Sequence, residues 1–503
     1  MNTYIKIVLR DLGLVLHVPG AMALLMVPLC FWWSEDYAVA YFGGTALAAL
    51  VAGQVLYHML RDAGETRLSH GMMTAALAWL IVPIFGAVPI WGAAESLASL
   101  RLTPETVREF QDPLNALFES FSGFTGTGLT MALRPSRLPA CIQWWRTFTE
   151  WIGGVGVIVL MLTIVRLNAG AFRLYFSEGR EDKIAPTVRS TVRTIWWIYL
   201  LLTGVSIVLF RALGMEWWPA INYGMTAIAT GGFGVTDRSF GDYGNAIKVA
   251  GMVVMLAGAV SFAVHFQILR YGRFSAFYKD TQHRFLALLT VAGVLLATLE
   301  LRWYRGEWTF VDPAFQWISA LSTAGLQSVD LNAWSPSAQL LLALGMLIGG
   351  AAGSTAGGLK LVRVALLERG VAWRFKRLRK KPHQLPRYEF NGGVLSEEEA
   401  QDRIESAAIL TIMWVVVLFF AVVILIHFVP ENYTLGEVVL EVASAQSNVG
   451  LSTGITNPDL HGFAKGILIL VMWMGRLEIA PALLLLLAPM HHLRKRAETR
   501  LRV

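Results

Sequence analysis

Cysteine is nearly absent: Cys30 and Cys141 are the two thiols in 503 residues, which gives no disulfide framework and no thiolate metal cluster. Charge is scarce as well. Asp, Glu, Lys and Arg make up 15% of the chain, against about 25% in soluble domains. No phosphate-binding glycine loop or dinucleotide fingerprint is found, so nothing here binds a nucleotide by itself. Apart from His265, Arg476 and Glu478 the apolar segments are nearly bare of titratable groups, which argues against a membrane enzyme with converging acid, base or metal ligands. What fills the chain is apolar. Hydrophobic residues reach 55% and the mean hydropathy is +0.53, the composition of a protein that lives in lipid.

The net charge of +7 sits in short loops between apolar runs, a topology signal and not a nucleic-acid surface. Hydropathy predicts spans near 14–33, 37–60, 71–93, 147–167, 193–213, 245–269, 284–303, 337–376, 404–429 and 464–489. The first is long enough to cross, and Ala38-Val39-Ala40 lies beyond Glu35 and Asp36, so the segment reads as a retained span and not as a cleaved signal. Arg61 and Arg67, the stretches 166–193 and 270–284, the run 374–381 and the tail Arg494-Lys495-Arg496 fall on one side, which predicts a cytoplasmic face holding both termini.

Four short apolar stretches on the other side each end in a tetrapeptide closed by glycine. They read Thr125-Gly126-Thr127-Gly128, Ala229-Thr230-Gly231-Gly232, Ser322-Thr323-Ala324-Gly325 and Ser447-Asn448-Val449-Gly450. The period is about one hundred residues, lengthened in the last interval by a basic linker. Nine residues before the glycines stand Glu119, Tyr223, Gln316 and Glu441, placed to brace their helices by hydrogen bonds. Asp112-Pro113 and Asp312-Pro313 read as an N-cap followed by proline at the first helical position, and Thr434-Leu435-Gly436-Glu437 as a capping box.

Irregular backbone survives at membrane depth only where it is buried in protein or lines water. Four such turns in parallel register point to a common axis, where backbone carbonyls replace the water of a dehydrating cation. Glycine allows the backbone angles required, short helices aim their partly negative C-terminal ends at the ion, and Thr125, Thr127, Thr230, Ser322, Thr323 and Ser447 add hydroxyls. The alternative, that small residues serve close helix packing, fits one tetrapeptide far better than four in register. A solute symporter would place its broken helices at mid-membrane in inverted halves, unlike these parallel, outward turns.

The span 337–376 is interrupted by glycines at 349–358. This reads either as a packing notch or as a flexible gate below the four turns. Arg476 lies deep in the last span, where a charge costs roughly 3 kcal/mol unless it meets water or a partner. It is expected either to face the pore and repel cations, or to pair with Glu478 or another buried carboxylate. His265 reads as a packing histidine or a proton site. Asp237 and Asp330 concentrate cations at the mouth or are ordinary solvated loop residues. Trp32-Trp33, Trp144-Trp145 and Trp217-Trp218 read as interfacial anchors.

Segments 118–128, 229–233, 261–266, 353–360 and Met474-Gly475-Arg476-Leu477-Glu478 resemble the bacterial Trk/Ktr/HKT potassium transporters, in particular their TrkH branch, and the likeness runs over nearly the whole chain. It departs in the first turn, where Gly126 stands in place of threonine. The resemblance implies an all-α integral membrane protein with an N-terminal two-helix hairpin (1–65) and four parallel membrane-pore-membrane repeats around a pseudo-fourfold pore. The repeats are 66–180, 181–280, 281–376 and 403–503, with a basic cytoplasmic linker at 377–402. It implies a filter at the four tetrapeptides and a gate built from Gly349, Gly350, Gly353, Ser354, Thr355, Gly357, Gly358, Lys360 and Arg476. Potassium is the transported ion implied, with rubidium accepted, sodium weakly so, and no covalently bound cofactor. Further expectations are a homodimer in the bacterial inner membrane, lipid contact at the linker, and a cytoplasmic RCK-type nucleotide-binding regulatory subunit, TrkA-like. Channel-like movement and coupling to protons or sodium both remain open.

Overall fold

The computed structural model describes residues 3–99, 103–156, 187–306, 308–378, 388–391 and 393–486. The basic stretches 166–186 and 379–387, the tail Arg494-Lys495-Arg496 and the inner ends of the fourth and tenth expected spans lie outside the described residues. Thr3–Val15 and His17–Trp32 run almost without interruption as one apolar helix, which turns into the antiparallel Val39–Leu60. The two cross closely where Gly13 and Gly53 meet, since a Cβ on Gly13 would lie 2.8 Å from the Gly53 carbonyl oxygen.

A unit of outer helix, short pore helix and inner helix then recurs four times. Its members are Leu68–Ser99, Pro113–Thr125 and Ala140–Val155; Val188–Ala212, Trp217–Ala229 and Asn245–Ala259; Thr281–Arg305, Val311–Leu321 and Pro336–Ile348; and Glu397–Leu425, Leu435–Gln446 and Gly462–Arg476. At 11 to 13 residues the pore helices are too short to cross a bilayer. Among the described residues six helices are long and apolar enough to do so, or seven if one bent pair counts as a span.

Polar side chains of the inner helices close the ring. Gln143 Oε1 accepts from Trp218 Nε1 of the second pore helix at 2.6 Å. Lys248 Nζ donates to Asp312 of the third at 2.8 Å, and Lys465 Nζ to Asn115 of the first at 2.6 Å. Gln339 lies against Gly436 of the fourth. Each inner helix thus grips the pore helix of the next unit, and the fourth returns to the first.

Every inner helix also stops early, at Gly156, Val260, Gly349 and Leu477. Sequence reading anticipated only the third break. The sixth expected span bends by 103° between Asn245–Ala259 and Phe262–Tyr271. Hydropathy is blind to this bend because Ser261 is small and itself starts the second helix, its hydroxyl accepting from Val264 N. His265 Nε2 bonds the Ala257 carbonyl at 2.9 Å, joining the two arms of the bend at an acceptor that also takes Val260 N–H.

Two further expectations change. Asp312 does not cap the third pore helix: that helix starts at Val311, with Phe310 at the N-cap, and the Asp312 carboxylate takes Lys248 and the Ser328 hydroxyl. Asp112 and Thr434 do cap theirs. Of the proposed tryptophan anchors, Trp32 and Trp217 are exposed. Trp145 is fully buried and donates to Gly86 O, while Trp33, Trp144 and Trp218 pack on one another. The linker holds a short hairpin. Tyr388–Phe390 pairs antiparallel with Gly393–Leu395, and Tyr388 sets its ring edge-on to Trp373 at 5.2 Å.

Candidate functional site

All four pore helices end in the same hydrogen-bonded turn. The residue before each closing glycine donates its N–H to a carbonyl five residues back: Thr127 to Ser122, Gly231 to Thr226, Ala324 to Ser319 and Val449 to Ser444, at 2.8–3.0 Å. The residue two before the glycine donates three residues back, and this pair of bonds is a Schellman motif. Its left-handed position is filled by Gly126 (φ 67°), Thr230 (53°), Thr323 (57°) and Asn448 (54°). For the three non-glycine residues that conformation costs roughly 1–2 kcal/mol each. Gly126 is therefore no irregularity of the first turn: it occupies the one place in the motif where glycine is least strained.

The closing glycines are left-handed as well, with φ of 82°, 104°, 66° and 105° at Gly128, Gly232, Gly325 and Gly450. Residues of opposite hand thus alternate along each tetrapeptide, which turns successive carbonyls toward one side. The four strands meet. A Cβ on Gly128 would overlap the Gly231 carbonyl oxygen, one on Gly325 that of Val449, and one on Gly450 that of Thr127. A Cβ on Gly232 would sit 3.1 Å from Val449 O and 3.2 Å from Ala324 O. The carbonyls of Thr127, Gly231, Ala324 and Val449 therefore crowd the centre where the glycines meet. All four glycines floor one cavity of about 660 Å³ whose walls include Asp237 and Asp330. Asp237 reaches across to the loop of the first unit, accepting from Ser136 N, and Asp330 ties down its own loop, accepting from Asn332 N, both at 3.0 Å.

Behind the ring each strand is braced from its own pore helix, three or four residues beyond the glycine. Glu119 accepts from Met131 N at 2.7 Å, Tyr223 bonds Thr236 Oγ1 at 2.7 Å, Gln316 accepts from Ser328 N at 3.0 Å, and Glu441 accepts from Thr453 N at 3.2 Å and Thr456 N at 3.0 Å. Three of these side chains hold backbone and Tyr223 holds a hydroxyl, which leaves the axis to the carbonyls. A second set escaped sequence reading: the hydroxyl residues Ser122, Thr226, Ser319 and Ser444, six before each glycine. Thr226 and Ser444 accept from Gly232 N and Gly450 N at 3.1 and 2.9 Å, and Ser319 donates to Leu326 O at 2.7 Å. Their shared offset from the glycines was the available signal.

Nor are the inner helices bare of charge. Arg146, 1% exposed, pairs with Glu119 at 2.5 Å, donates to Gly234 O at 3.1 Å, and stacks 4.2 Å over the Phe233 ring. Glu150, fully buried, takes the Thr226 hydroxyl and accepts from Phe233 N at 3.1 Å. One inner helix thus clamps the strand of the second tetrapeptide from behind and reaches the first through Glu119.

Below the ring lies the interrupted segment. Gly357 N–H donates to Thr323 Oγ1 at 2.7 Å, Gly358 N–H to Ser447 O at 3.1 Å, and the Thr230 hydroxyl to Thr355 Oγ1 at 3.3 Å. Thr355 also donates to Ile228 O and Gly258 O at 3.0 and 2.9 Å, Ala351 N to Ala259 O at 3.0 Å, and Gly353 O accepts from Phe262 N at 2.9 Å. Ser354 folds back on Ala351 O at 2.6 Å, and Lys360 caps Ala356 O. A Cβ on Gly350 would strike the Ala356 side chain, and Gly349 packs on Gly357 and Gly358. The segment therefore both packs closely and touches the second, third and fourth tetrapeptides.

Arg476 occupies the remaining side. It is the last residue of its helix, not the middle of a continuous span. Its guanidinium donates to Gly153 O and lies 5.1 Å over the Trp79 ring, and Gly153 packs on the Phe124 carbonyl at the end of the first pore helix. Glu478 pairs with Arg363 instead.

This arrangement has counterparts. The crystal structure of the potassium transporter TrkH from Vibrio parahaemolyticus is similar, with a TM-score of 0.80 at 27% identity over 96% of this chain and 98% of that one. The Trk system potassium uptake protein TrkH of Halomonas elongata is 28% identical over 502 residues, 94% of this chain and 97% of its own. An uncharacterised cation transporter of Methanocaldococcus jannaschii is 28% identical over 488 residues, 95% and 94% of the two chains. The model of the TrkH family, described as cation transport protein, matches residues 40–493. With a carbonyl ring closed by four pore helices and a family match over most of its length, the chain belongs to the TrkH family of cation transport proteins.

Proposed function

We propose that this protein takes up potassium across the cytoplasmic membrane through the ring formed by the carbonyls of Thr127, Gly231, Ala324 and Val449. The observation that carries the reading is the convergence of these four oxygens on the space a Cβ at the closing glycines would fill. A potassium ion shed of water needs such a shell, and carbonyl dipoles held by braced strands supply it without a formal charge that would trap the ion. The pore-helix C-termini add partial negative charge from behind, and Asp237 and Asp330 raise the local cation concentration in the vestibule.

The segment 349–358 and Arg476 form the gate. The segment closes the underside of the second, third and fourth strands, and the Arg476 guanidinium closes the first, placing a positive charge in the exit path. Opening requires breaking the bonds from Gly357, Gly358 and Thr355. The four units and the N-terminal hairpin act as one pore-forming body, the vestibule faces outward and both termini face the cytoplasm. The linker 377–402 lies where a nucleotide-binding regulatory subunit would dock, and two copies of the chain form a homodimer.

Flux of potassium, rubidium and sodium into proteoliposomes tests this. Wild type should carry potassium and rubidium in preference to sodium. Gly232→Ser, which forces a side chain into a left-handed position 3.1 Å from Val449 O, should lose that preference. Arg476→Ala should raise flux and keep it. Sodium carried as well as potassium by wild type, or unchanged selectivity in Gly232→Ser, would contradict the reading.

A further inference from the structure

Cys30 and Cys141 are distant in sequence but adjacent in space. Both are fully buried free thiols, and one residue joins their backbones: Glu35 N–H donates to Cys30 O at 2.8 Å while its carboxylate accepts from Cys141 N at 2.7 Å. Cys30 closes the first hydrophobic helix, and Cys141 is the second residue of the first inner helix. The join around them is built. Glu35, in the turn of the N-terminal hairpin, accepts from Ala140 N at 2.8 Å and Cys141 N at 2.7 Å, a carboxylate seated on the N–H groups that a helix start leaves unpaired. Trp33 of the hairpin lies 6.3 Å from Trp144 of the inner helix, centroid to centroid. The same end of that helix adjoins the vestibule, which Pro135 lines.

We propose that Cys30 and Cys141 form a disulfide that staples the N-terminal hairpin to the first inner helix. The proposal rests on the outward orientation of the vestibule given above, which sets the pair in the oxidising compartment where structural disulfides persist. As the Sγ–Sγ bond forms, the two thiols give up two protons and two electrons. A disulfide-bearing oxidant of that compartment takes them, its own S–S bond breaking to two thiols. Because the folded chain closes both sulfurs off from solvent, exchange takes place before the hairpin packs, and the finished bond is shielded from reductants. The staple fixes the first turn of the helix that carries Gln143, Arg146 and Glu150, so it stiffens the support of two filter strands from outside the ring. A covalent link closing a loop of about one hundred residues also restricts the unfolded chain strongly.

The test is thiol counting on the full-length protein. Cells are quenched in acid, the protein is denatured in detergent, and a maleimide of large mass is added with or without prior reduction. Wild type should take up no label before reduction and two labels after it. Cys30→Ser should take up one label without reduction. An Asp459→Cys variant lacking both native thiols reports orientation, because Asp459 lies exposed on the loop beyond the fourth filter strand. A membrane-impermeant maleimide should label it in intact cells. Two labels on unreduced wild type, with Asp459→Cys labelled from outside, would overturn the disulfide and leave the orientation standing. Two labels with Asp459→Cys reactive only after lysis would overturn the orientation, and the disulfide with it. An unreactive Cys141 in unreduced Cys30→Ser would overturn the pairing.

Discussion

The outer and inner halves of the pore differ in symmetry. Around the carbonyl ring the four units repeat one plan: the same Schellman turn, a left-handed residue at the same place, and a brace from the pore helix to the strand three or four residues on. Below it they part. Three strands rest on the segment 349–358, while on the side of the first unit Arg476 bonds the Gly153 carbonyl of the inner helix. An ion on the axis is served best by equivalent oxygens around it, so the ion-binding half is held to a fourfold plan even where side chains differ. On the proposed reading a gate needs one movable part, and the inner half offers it from a single unit.

The contrast is broken most severely at the ring itself. Gly325→Ala places a Cβ on the Val449 carbonyl and should reduce potassium flux in proteoliposomes to that of empty vesicles, whatever the state of the gate. Next come the braces, alike in geometry but unlike in charge. Glu119→Ala leaves Arg146 buried without its carboxylate and should cost about 3–5 kcal/mol. Gln316→Ala removes one hydrogen bond to Ser328 and should cost about 1–3 kcal/mol. Thermal melting of the purified proteins should rank them in that order. Below the ring, Thr355→Val removes the hydroxyl that joins the gate to Ile228 O and Gly258 O. It should raise flux severalfold with the potassium-to-sodium ratio unchanged, as Arg476→Ala should. The smallest effect belongs to the vestibule. Asp237→Asn with Asp330→Asn should lower flux at low ionic strength, and the difference should fade near 1 M salt, where the Debye length falls to about 3 Å.

How much of this was legible depended on whether a residue's role leaves a local mark. The closing glycines do, because the conformation they adopt is one that glycine favours, and four of them in register announced the ring. The left-handed position two residues earlier does not, since threonine and asparagine fill it three times out of four at a cost only the assembled turn reveals. Arg146 and Glu150 sat at the edge of an expected span, where charge is unremarkable, and their partners Glu119 and Phe233 are supplied by other elements. Breaks in the inner helices went unseen except at 349–358, because hydropathy registers composition and not backbone direction. Arg476 was read as mid-span for the same reason, and once the helix is seen to end there its bond to the Gly153 carbonyl of the first inner helix follows. Asp312 shows the opposite error: an Asp-Pro pair is a fair cap signal, but Lys248, distant in sequence, has a stronger claim on the carboxylate.

Anomalous X-ray diffraction from crystals soaked in thallium, a potassium mimic, tests the central claim most directly. The account predicts a peak on the axis among the carbonyls of Thr127, Gly231, Ala324 and Val449, absent in Gly325→Ala. Thallium bound elsewhere with that position empty, or a peak undisturbed by Gly325→Ala, would contradict it.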